Sequence, residues 1–589
     1  MEAFPNEDGV ITPSLDEDPA LGLPIREKME ILFAVMLGLF LGALDQTIVG
    51  PALPTVVTQL AGNDIYVWAV TIYLLTSTIS VPFWGKLSDL YGRKPIFMIG
   101  IGLFLAGSAL SGLSQNMTQL ILFRGIQGIG AGSLFPVALA VIGDMFTPAE
   151  RGKYQGLFGA VFGVAFIVGP LVGGYLTEHI SWHWIFYVNV PIGLVSLYFI
   201  WRLLPVVKNP RATRNFDILG GVIFTIATAI LLIGLTEKGQ TNATTHALND
   251  WFDAIPFSLG SLSFSVSIAE MIGVSLVGLV LFVWAESRAK EPIVPLHLFR
   301  NRTYTTSMIA TFFAAFAFFG AIIFLPRWFQ FVQGFSPTNS GLAALPLMVG
   351  LIFSSIASGL VVARTGRYKW LVVGAIIVMG ISTALMTQLR ADTPLAVVWS
   401  WMFISGLGVG PTFAVFTIIV QNAVPFHELG VATSNLTFFR QIGGTVSLAI
   451  VGTLFGSEFQ RQFGPQLSAA GVPAPVVDGF TQASSSGTLD FNQLTGVGDL
   501  GKAILGSVPA QVQPVVEPFI SNIVFGIHQA FSLGVASTFW IGVGAAAIGA
   551  VAAAAMHEIP LRQHLGAAPG ATGAPRPAAG QSPTLPAAD

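Results

Sequence analysis

Gly85-Lys86-Leu87-Ser88-Asp89-Leu90-Tyr91-Gly92-Arg93-Lys94 joins two long apolar runs, and its outline returns far downstream as Gly359-Leu360-Val361-Val362-Ala363-Arg364-Thr365-Gly366-Arg367-Tyr368-Lys369. Glycine, glycine and arginine stand at the same offsets in both, so the chain carries an internal repeat. Of its 589 residues, 53% are hydrophobic and only 10% charged, with mean hydropathy +0.72; an ordinary soluble domain is about 25% charged. Apolar runs of about 18 or more residues, each able to cross roughly 30 Å of hydrocarbon as a helix, recur from Ile31 to Met556. Repeated helical halves around a central cavity are a transporter architecture. The repeat and the composition together predict an all-α, polytopic membrane protein.

Fourteen spans are expected, near 31–58, 66–84, 95–114, 118–142, 154–176, 184–204, 217–236, 267–285, 304–326, 339–362, 370–389, 395–421, 429–456 and 523–556, with ends uncertain by about four residues. Basic residues collect in cytoplasmic loops, and with the N-terminus inside only Lys238, Arg327, Arg390, Arg461 and Lys502 fall outside, while Arg124 and Arg440 lie within helices. An even helix count with both termini cytoplasmic follows. Two six-helix halves alone would place the second repeat copy after helix 8; its position after helix 10 implies an inserted pair. The expected organisation is a cytoplasmic tail over 1–28, a six-helix bundle over 29–216, an inserted pair with its linker over 217–303, and a second six-helix bundle over 304–556. That bundle includes a flexible extracellular loop at about 457–522, and a disordered cytoplasmic tail covers 557–589.

The net charge of -3 lacks the basic excess of nucleic-acid binders, so nucleic acid is excluded as a partner. The chain has no cysteine, which rules out disulfides, thiolate metal sites and thiol nucleophiles. Gly496-Val-Gly-Asp-Leu-Gly501-Lys502-Ala503 approaches a phosphate-binding loop, but Ala503 replaces the Mg²⁺-binding hydroxyl and no strand precedes it. No metalloprotease signature occurs, and enzymatic function has no positive support. No cofactor or metal is expected. The first 28 residues lack the apolar core of a cleavable signal peptide. Low charge with Gly, Ala and Pro richness fits a bacterial inner membrane.

Within the repeat, glycines suit the sharp turn between helices, and Asp89 with Arg93 and Lys94 makes a charged cluster able to latch helix ends. Ala363 replaces Asp89 in the second copy, so the latch is one-sided. The segment Gly85–Lys94 resembles the helix 2–3 signature of the major facilitator superfamily. Leu44-Asp45-Gln46-Thr-Ile-Val with Ala52-Leu53-Pro54, Arg124-Gly-Ile-Gln127-Gly128-Ile-Gly130-Ala-Gly132 and Gly169-Pro170-Leu-Val-Gly173-Gly174 are similar to motifs of its 14-helix drug:proton antiporter family. Trp182-His-Trp184-Ile-Phe-Tyr-Val-Asn189-Val-Pro191 and Arg440-Gln441-Ile-Gly443-Gly444 extend the resemblance over residues 30–556. Departures are Gly50-Pro51 after the helix-1 motif, Ala165 at a usual glycine and His183 at a usual arginine. The resemblance implies a proton-driven, cofactor-free multidrug efflux transporter working as a monomer in the bilayer and exchanging protons for an amphiphilic small molecule. It implies an antiporter motif at Gly169, Pro170, Gly173 and Gly174, and a latch at Gly85, Asp89, Gly92 and Arg93. The substrate cavity would hold Asp45, Gln46, Arg124, Gln127, Arg440 and Gln441. Export of an endogenous lipid or secondary metabolite is the alternative, and a membrane-embedded enzyme or scaffold a remote one.

Ionisable residues at membrane depth are costly and by default functional. Asp45 sits about 14 residues beyond the inner start of helix 1, ~21 Å, and Arg124 about six from the outer start of helix 4, ~9 Å from the opposite face. In a core of ~30 Å these depths coincide. An arginine partner favours the ionised carboxylate and desolvation the neutral one, a balance that shifts as a cavity opens to either side; a static buried pair is the other reading. Arg440 lies about 11 residues into helix 13, ~16 Å, where it binds substrate or pairs with carbonyls. Gly169-Pro170 is expected to bend or break helix 5. Helices 9 to 14 hold no Asp or Glu within their spans, which disfavours a dication site.

Overall fold

The computed structural model describes residues 10–11, 23–60, 67–207, 216–241, 254–259, 262–485, 500–507 and 513–561. The first half contains α1 (Ile25–Gln59), α2 (Val67–Tyr91), α3 (Arg93–Gly112), α4 (Met117–Met145), α5 (Pro148–His179) and a sixth helix split into α6 (Trp184–Tyr187) and α7 (Asn189–Leu203). Next come α8 (Ile218–Thr241) and α9 (Ile268–Glu286). The second half contains α10 (Arg302–Phe331), α11 (Pro337–Ala343) running into α12 (Leu345–Thr365), α13 (Lys369–Met386), α14 (Leu395–Ala423) and α15 (Leu429–Ala469). After α16 (Ala474–Ser485), α17 (Leu500–Ser507) and α18 (Gln513–Val516), α19 (Ile520–Ala554) closes it.

Among the described residues, thirteen helical stretches are long and apolar enough to cross a membrane. α2 is not one of them, because its serines, threonines and charged end at Lys86 and Asp89 dilute its hydropathy. It still packs inside the bundle: the Trp84 indole donates to the Ile129 carbonyl of α4 at 2.7 Å, and α2 lies along α15. Each half closes over its own apolar core, around Phe97, Phe104 and Leu134 in the first and around Trp328, Leu347 and Phe416 in the second. Exposed Leu122, Ile126 and Ile129 on one face of α4, and Val274, Val277 and Leu281 on α9, give the lipid-facing surface expected of such helices.

The repeat glycines have a backbone reason. Gly92 has φ 94° and Gly366 φ 67°, left-handed conformations that glycine adopts without the Cβ penalty. Each lets one helix stop and the next start at once. α5 begins with a capping box, Thr147 accepting from the Glu150 amide and Glu150 reaching back to the Thr147 amide, with Pro148 in its first turn.

α8 and α9 pack on each other, with the Ser275 hydroxyl donating to the Ala227 carbonyl at 2.8 Å. α8 lies on the seam between the halves: Gly221 sits against Phe83 of α2, and Phe224 meets Phe438 of α15 at 5.2 Å between ring centroids.

Several expectations are corrected. Within the segment at about 457–522, the described residues are largely helical rather than an irregular loop. α15 runs on to Ala469, and Phe459, Phe463 and Leu467 join the second-half core beside Val477, Phe480, Ile504 and Ile523. This extension also brings an acid, Glu458, into the thirteenth helix, paired with Arg461 at 2.7 Å. Between α8 and α9, β1 (Ala254–Leu259) and β2 (Leu262–Ser267) form an antiparallel hairpin pairing Ala254 with Ser267 and Leu259 with Leu262. Among the described residues, the other strand contact is a two-residue parallel pairing of Val10–Ile11 with Val206–Val207. Pro170 does not break α5, which continues to His179. The tail from 562 onward, most of residues 1–22 and Gly496–Asp499 of the P-loop-like stretch lie outside the described residues; Leu500–Ser507 is helix.

Candidate functional site

Asp45 is fully buried in the middle of α1. Its Oδ2 accepts from Arg124 Nη1 at 2.7 Å; its Oδ1 accepts from Gln127 Nε2 at 2.7 Å and Asn189 Nδ2 at 3.0 Å. Arg124 also donates to Gln127 Oε1 at 2.8 Å and to the Ala69 carbonyl at 3.2 Å, and its guanidinium lies 4.1 Å from the centre of the Tyr73 ring. Asn189 donates on to Ser108 Oγ at 3.1 Å. Side chains from α1, α2, α3, α4 and α7 thus converge on one carboxylate. An ionised carboxylate is acceptor-only, and three donors on it satisfy that form.

Gly169 and Gly173 of α5 pack beside the Asp45 segment. A Cβ on Gly169 would fall on Thr47, and one on Gly173 on the Ile48 carbonyl, while Thr47 Oγ1 donates to the Ala165 carbonyl at 2.9 Å. The alternate pair faces the other half: Pro170 lies against Gly341, and Gly174 against Thr338, both on α11. α5 therefore touches the Asp45 segment with one edge and the second half with the next.

At the end of the bundle that carries the basic loops, the halves are tied. Asp89 accepts from the Gly430 amide at 3.0 Å and the Val431 amide at 2.7 Å, at the N-terminus of α15, where a carboxylate satisfies free amides and meets the positive helix pole. Arg93 pairs with Asp89 and donates to Asp144 Oδ2 at 2.9 Å and Ser88 Oγ at 2.7 Å. Gly85 is required by contact, since a Cβ there would overlap Ser434. Lys86 pairs with Glu291 at 2.6 Å, joining α2 to the segment after α9. Gln155 of α5 donates to Gln421 of α14 at 2.8 Å, and Gln421 to the Leu139 carbonyl of α4 at 3.0 Å. The inner turns of α4 and α14 are buried there, whereas Gln46, Arg440 and Gln441 keep exposure near mid-bundle.

Residues 35–448 match the Major Facilitator Superfamily. The chain belongs to that superfamily. It is 36% identical over 524 residues to the multidrug transporter protein MdtP of Bacillus subtilis (strain 168), covering 88% of this chain and 91% of that one. It is 32% identical over 435 residues to the acurin A biosynthesis cluster MFS-type transporter of Aspergillus aculeatus, covering 73% and 75%. A bacterial homologue of the human lysosomal transporter Spinster, solved inward-facing and unoccupied, shares the fold with TM-score 0.51 at 14% identity, covering 91% of this chain and 98% of that one. This superfamily member is accordingly a multi-pass membrane transporter and not an enzyme.

In this transporter Asp45, Arg124 and Gln127 come together as a unit, as do Asp89 and Arg93 with their glycines. Gln46, one residue from Asp45, turns to an exposed position outside that unit. Arg440 and Gln441 stand apart on α15; Arg440 Nη2 donates to the Thr412 carbonyl at 3.3 Å, and the buried Gln441 Oε1 has no donor. His183, which stands at a usual arginine, stacks on Trp182 at 3.8 Å between centroids and meets Ser181 Oγ at 2.7 Å. Burial pushes its imidazole below the usual histidine range. Sequence reading missed Asn189, Ser108, Tyr73 and Asp144. The Asn189-Val-Pro191 start of a helix was the one available signal for the first.

Proposed function

We propose that this chain is a proton-coupled antiporter that exports amphiphilic small molecules by alternating access, with α2 completing fourteen spans and both termini cytoplasmic in a bacterial membrane. The observation that carries the reading is the fully buried Asp45 carboxylate held by Arg124, Gln127 and Asn189. A proton arriving on Asp45 removes the counter-charge of Arg124 and replaces an acceptor with a donor, so the α1–α4 and α1–α7 links must rearrange. α5 transmits that change, because Gly169 and Gly173 ride on Thr47 and Ile48 while Pro170 and Gly174 ride on α11. The Asp89 latch ties the two halves at the cytoplasmic end in this state and must release for the cavity to open there.

Proteoliposomes test this. A pH gradient, acid on the extracellular side, drives export by the wild type, and added substrate dissipates the gradient. Asp45→Asn loses both effects while keeping downhill exchange of substrate. Retention of both by that variant makes Asp45 structural and refutes the coupling role.

A second reading, export of an endogenous secondary metabolite, is favoured by the similarity to the acurin A cluster transporter. It uses the same cavity and coupling, and differs only in cargo.

A further inference from the structure

Arg440 is the cation that the coupling mechanism leaves unused. It lies on α15 with its side chain only partly buried. Its single hydrogen bond among the described residues is the 3.3 Å contact to the Thr412 carbonyl, which leaves most of the five guanidinium donors without a protein acceptor. Among the described residues no carboxylate is paired with it, and the one acid within α15, Glu458, lies 18 residues beyond Arg440, about 27 Å along the helix, and pairs with Arg461. A guanidinium at membrane depth with so little compensation is costly.

Its surroundings are aromatic. The guanidinium lies 4.3 Å from the centre of the Phe413 ring. Phe413 meets Phe162 of α5 at 5.6 Å and Phe318 of α10 at 6.4 Å, and Phe162 stacks on Phe135 of α4 at 4.7 Å. Phe135 and Phe162 belong to the first half, Phe318 and Phe413 to the second, and three of the four are only partly buried. The seam between the halves therefore presents a planar, charged fork beside stacked rings. A guanidinium fork matches a carboxylate in bidentate fashion, while the same charge repels a cation. A flat apolar body can occupy the ring faces.

We propose that Arg440 binds the anionic head of the cargo and that the cargo class is aromatic carboxylates. This deepens the transporter reading and rests on it. Asp45 does not oppose such an anion, because Arg124 already neutralises it.

The test uses three pyrene probes of one shape: 1-pyrenebutyrate, 1-pyrenebutanol and 1-pyrenebutyl-trimethylammonium. They are titrated against the purified full-length protein, with binding read by ligand-induced thermal stabilisation and by competition. The carboxylate is expected to bind at least about 10-fold more tightly than the alcohol or the cation, in line with a charge-assisted bidentate contact. Arg440→Gln should bring the three within about 2-fold of one another, and Arg440→Lys should retain part of the preference. Should Arg440→Gln fail to fold, Arg440→Lys together with Phe413→Leu carries the comparison. Equal or tighter binding of the cation by the wild type, or a carboxylate preference untouched in every Arg440 variant, overturns the proposal. Arg440-dependent displacement of pyrenebutyrate by phosphatidylglycerol but not phosphatidylcholine, with phosphatidylglycerol the tighter ligand, overturns it in favour of a lipid. Asp45→Asn keeps the carboxylate preference but loses proton-driven export, so failure of the coupling reading and failure of this one give different results.

Discussion

Asp45 and Arg124 depend on each other at the level of single atoms. Removing one partner of a buried pair leaves the other charge uncompensated, which costs about 3–5 kcal/mol. Arg124→Ala leaves Asp45 with Gln127 and Asn189 alone. The purified variant is expected to melt well below the wild type. Asp45→Asn, which keeps neutral hydrogen-bonding capacity, should melt nearer the wild type. Equal melting of Arg124→Ala and wild type contradicts this account. The pair was legible in the sequence because ionisable residues at membrane depth are rare, so matching two depths was enough to join them. Asn189, Ser108 and Tyr73 were not, since uncharged polar residues are frequent in these helices and spacing does not say which of them turn inward. Asp144 was hidden for another reason: at the inner end of α4 a carboxylate reads as an ordinary loop charge.

At the scale of elements, one face of α5 is built for contact. A Cβ on Gly152 would meet the Gly359 carbonyl of α12; on Gly156, Ile356 and the Ser355 carbonyl; on Gly159, Ser355; and on Gly163, Ile352. These spacings of three and four residues make a stripe along which the two halves approach closely. Gly359 is the first residue of the second repeat copy, so that residue serves the α5–α12 contact while Gly366 serves the turn. Overpacking such a contact costs typically about 1–3 kcal/mol. Gly156→Leu should therefore shift the protein away from the state in which α5 and α12 touch. The chain has no native cysteine, so Thr433→Cys, a buried site beside Gln421, gives one reporter thiol. Gly156→Leu is expected to speed its labelling from the cytoplasmic side by roughly 5- to 160-fold, the range these energies correspond to. Unchanged labelling and unchanged transport would remove the stripe from the cycle. The helices of the membrane core were readable because hydropathy is their cause. The outer stretch of α15 was misread because its polar residues lower the average, although Phe459, Phe463 and Leu467 repeat every four residues and mark the buried face of a continuing helix.

The second repeat copy is held differently from the first. Where Asp89 caps α15 from within the turn, the matching turn is capped by the segment after α19: Glu558 Oε1 accepts from the Tyr368 amide at 2.8 Å and the Lys369 amide at 3.3 Å. The Tyr368 hydroxyl donates to the Ile559 carbonyl at 2.8 Å and accepts from its amide at 2.6 Å. Burial pushes that hydroxyl up to about 12, so it keeps its proton at any working pH and both bonds persist. The one-sided latch expected from Ala363 is thus accompanied by a second carboxylate borrowed from the far end of the chain, which no local pattern announces. The displaced repeat implies an inserted pair, whereas the seat of α8 on the α2–α15 seam follows from packing at Phe83 and Phe438, which sequence order does not encode.

That Arg440 has no paired carboxylate among the described residues has an electrical meaning. If Asp45 returns one proton per cycle, the charge carried by the cargo alone sets the net current. A monocation exchanged for a proton moves no net charge, a neutral cargo moves one, and a monoanion leaving as a proton enters moves two in the same sense. Each charge is worth about 2.3 kcal/mol per 100 mV, so an interior-negative membrane would drive carboxylate export with about 4.6 kcal/mol even with no pH difference. Clamping proteoliposomes with potassium and valinomycin at equal pH should therefore empty them of pyrenebutyrate faster at each more negative step, and potential-independent efflux would exclude this stoichiometry. A transporter wired in this way acts as an electrophoretic pump, powered by voltage in neutral surroundings where a proton gradient has little to give.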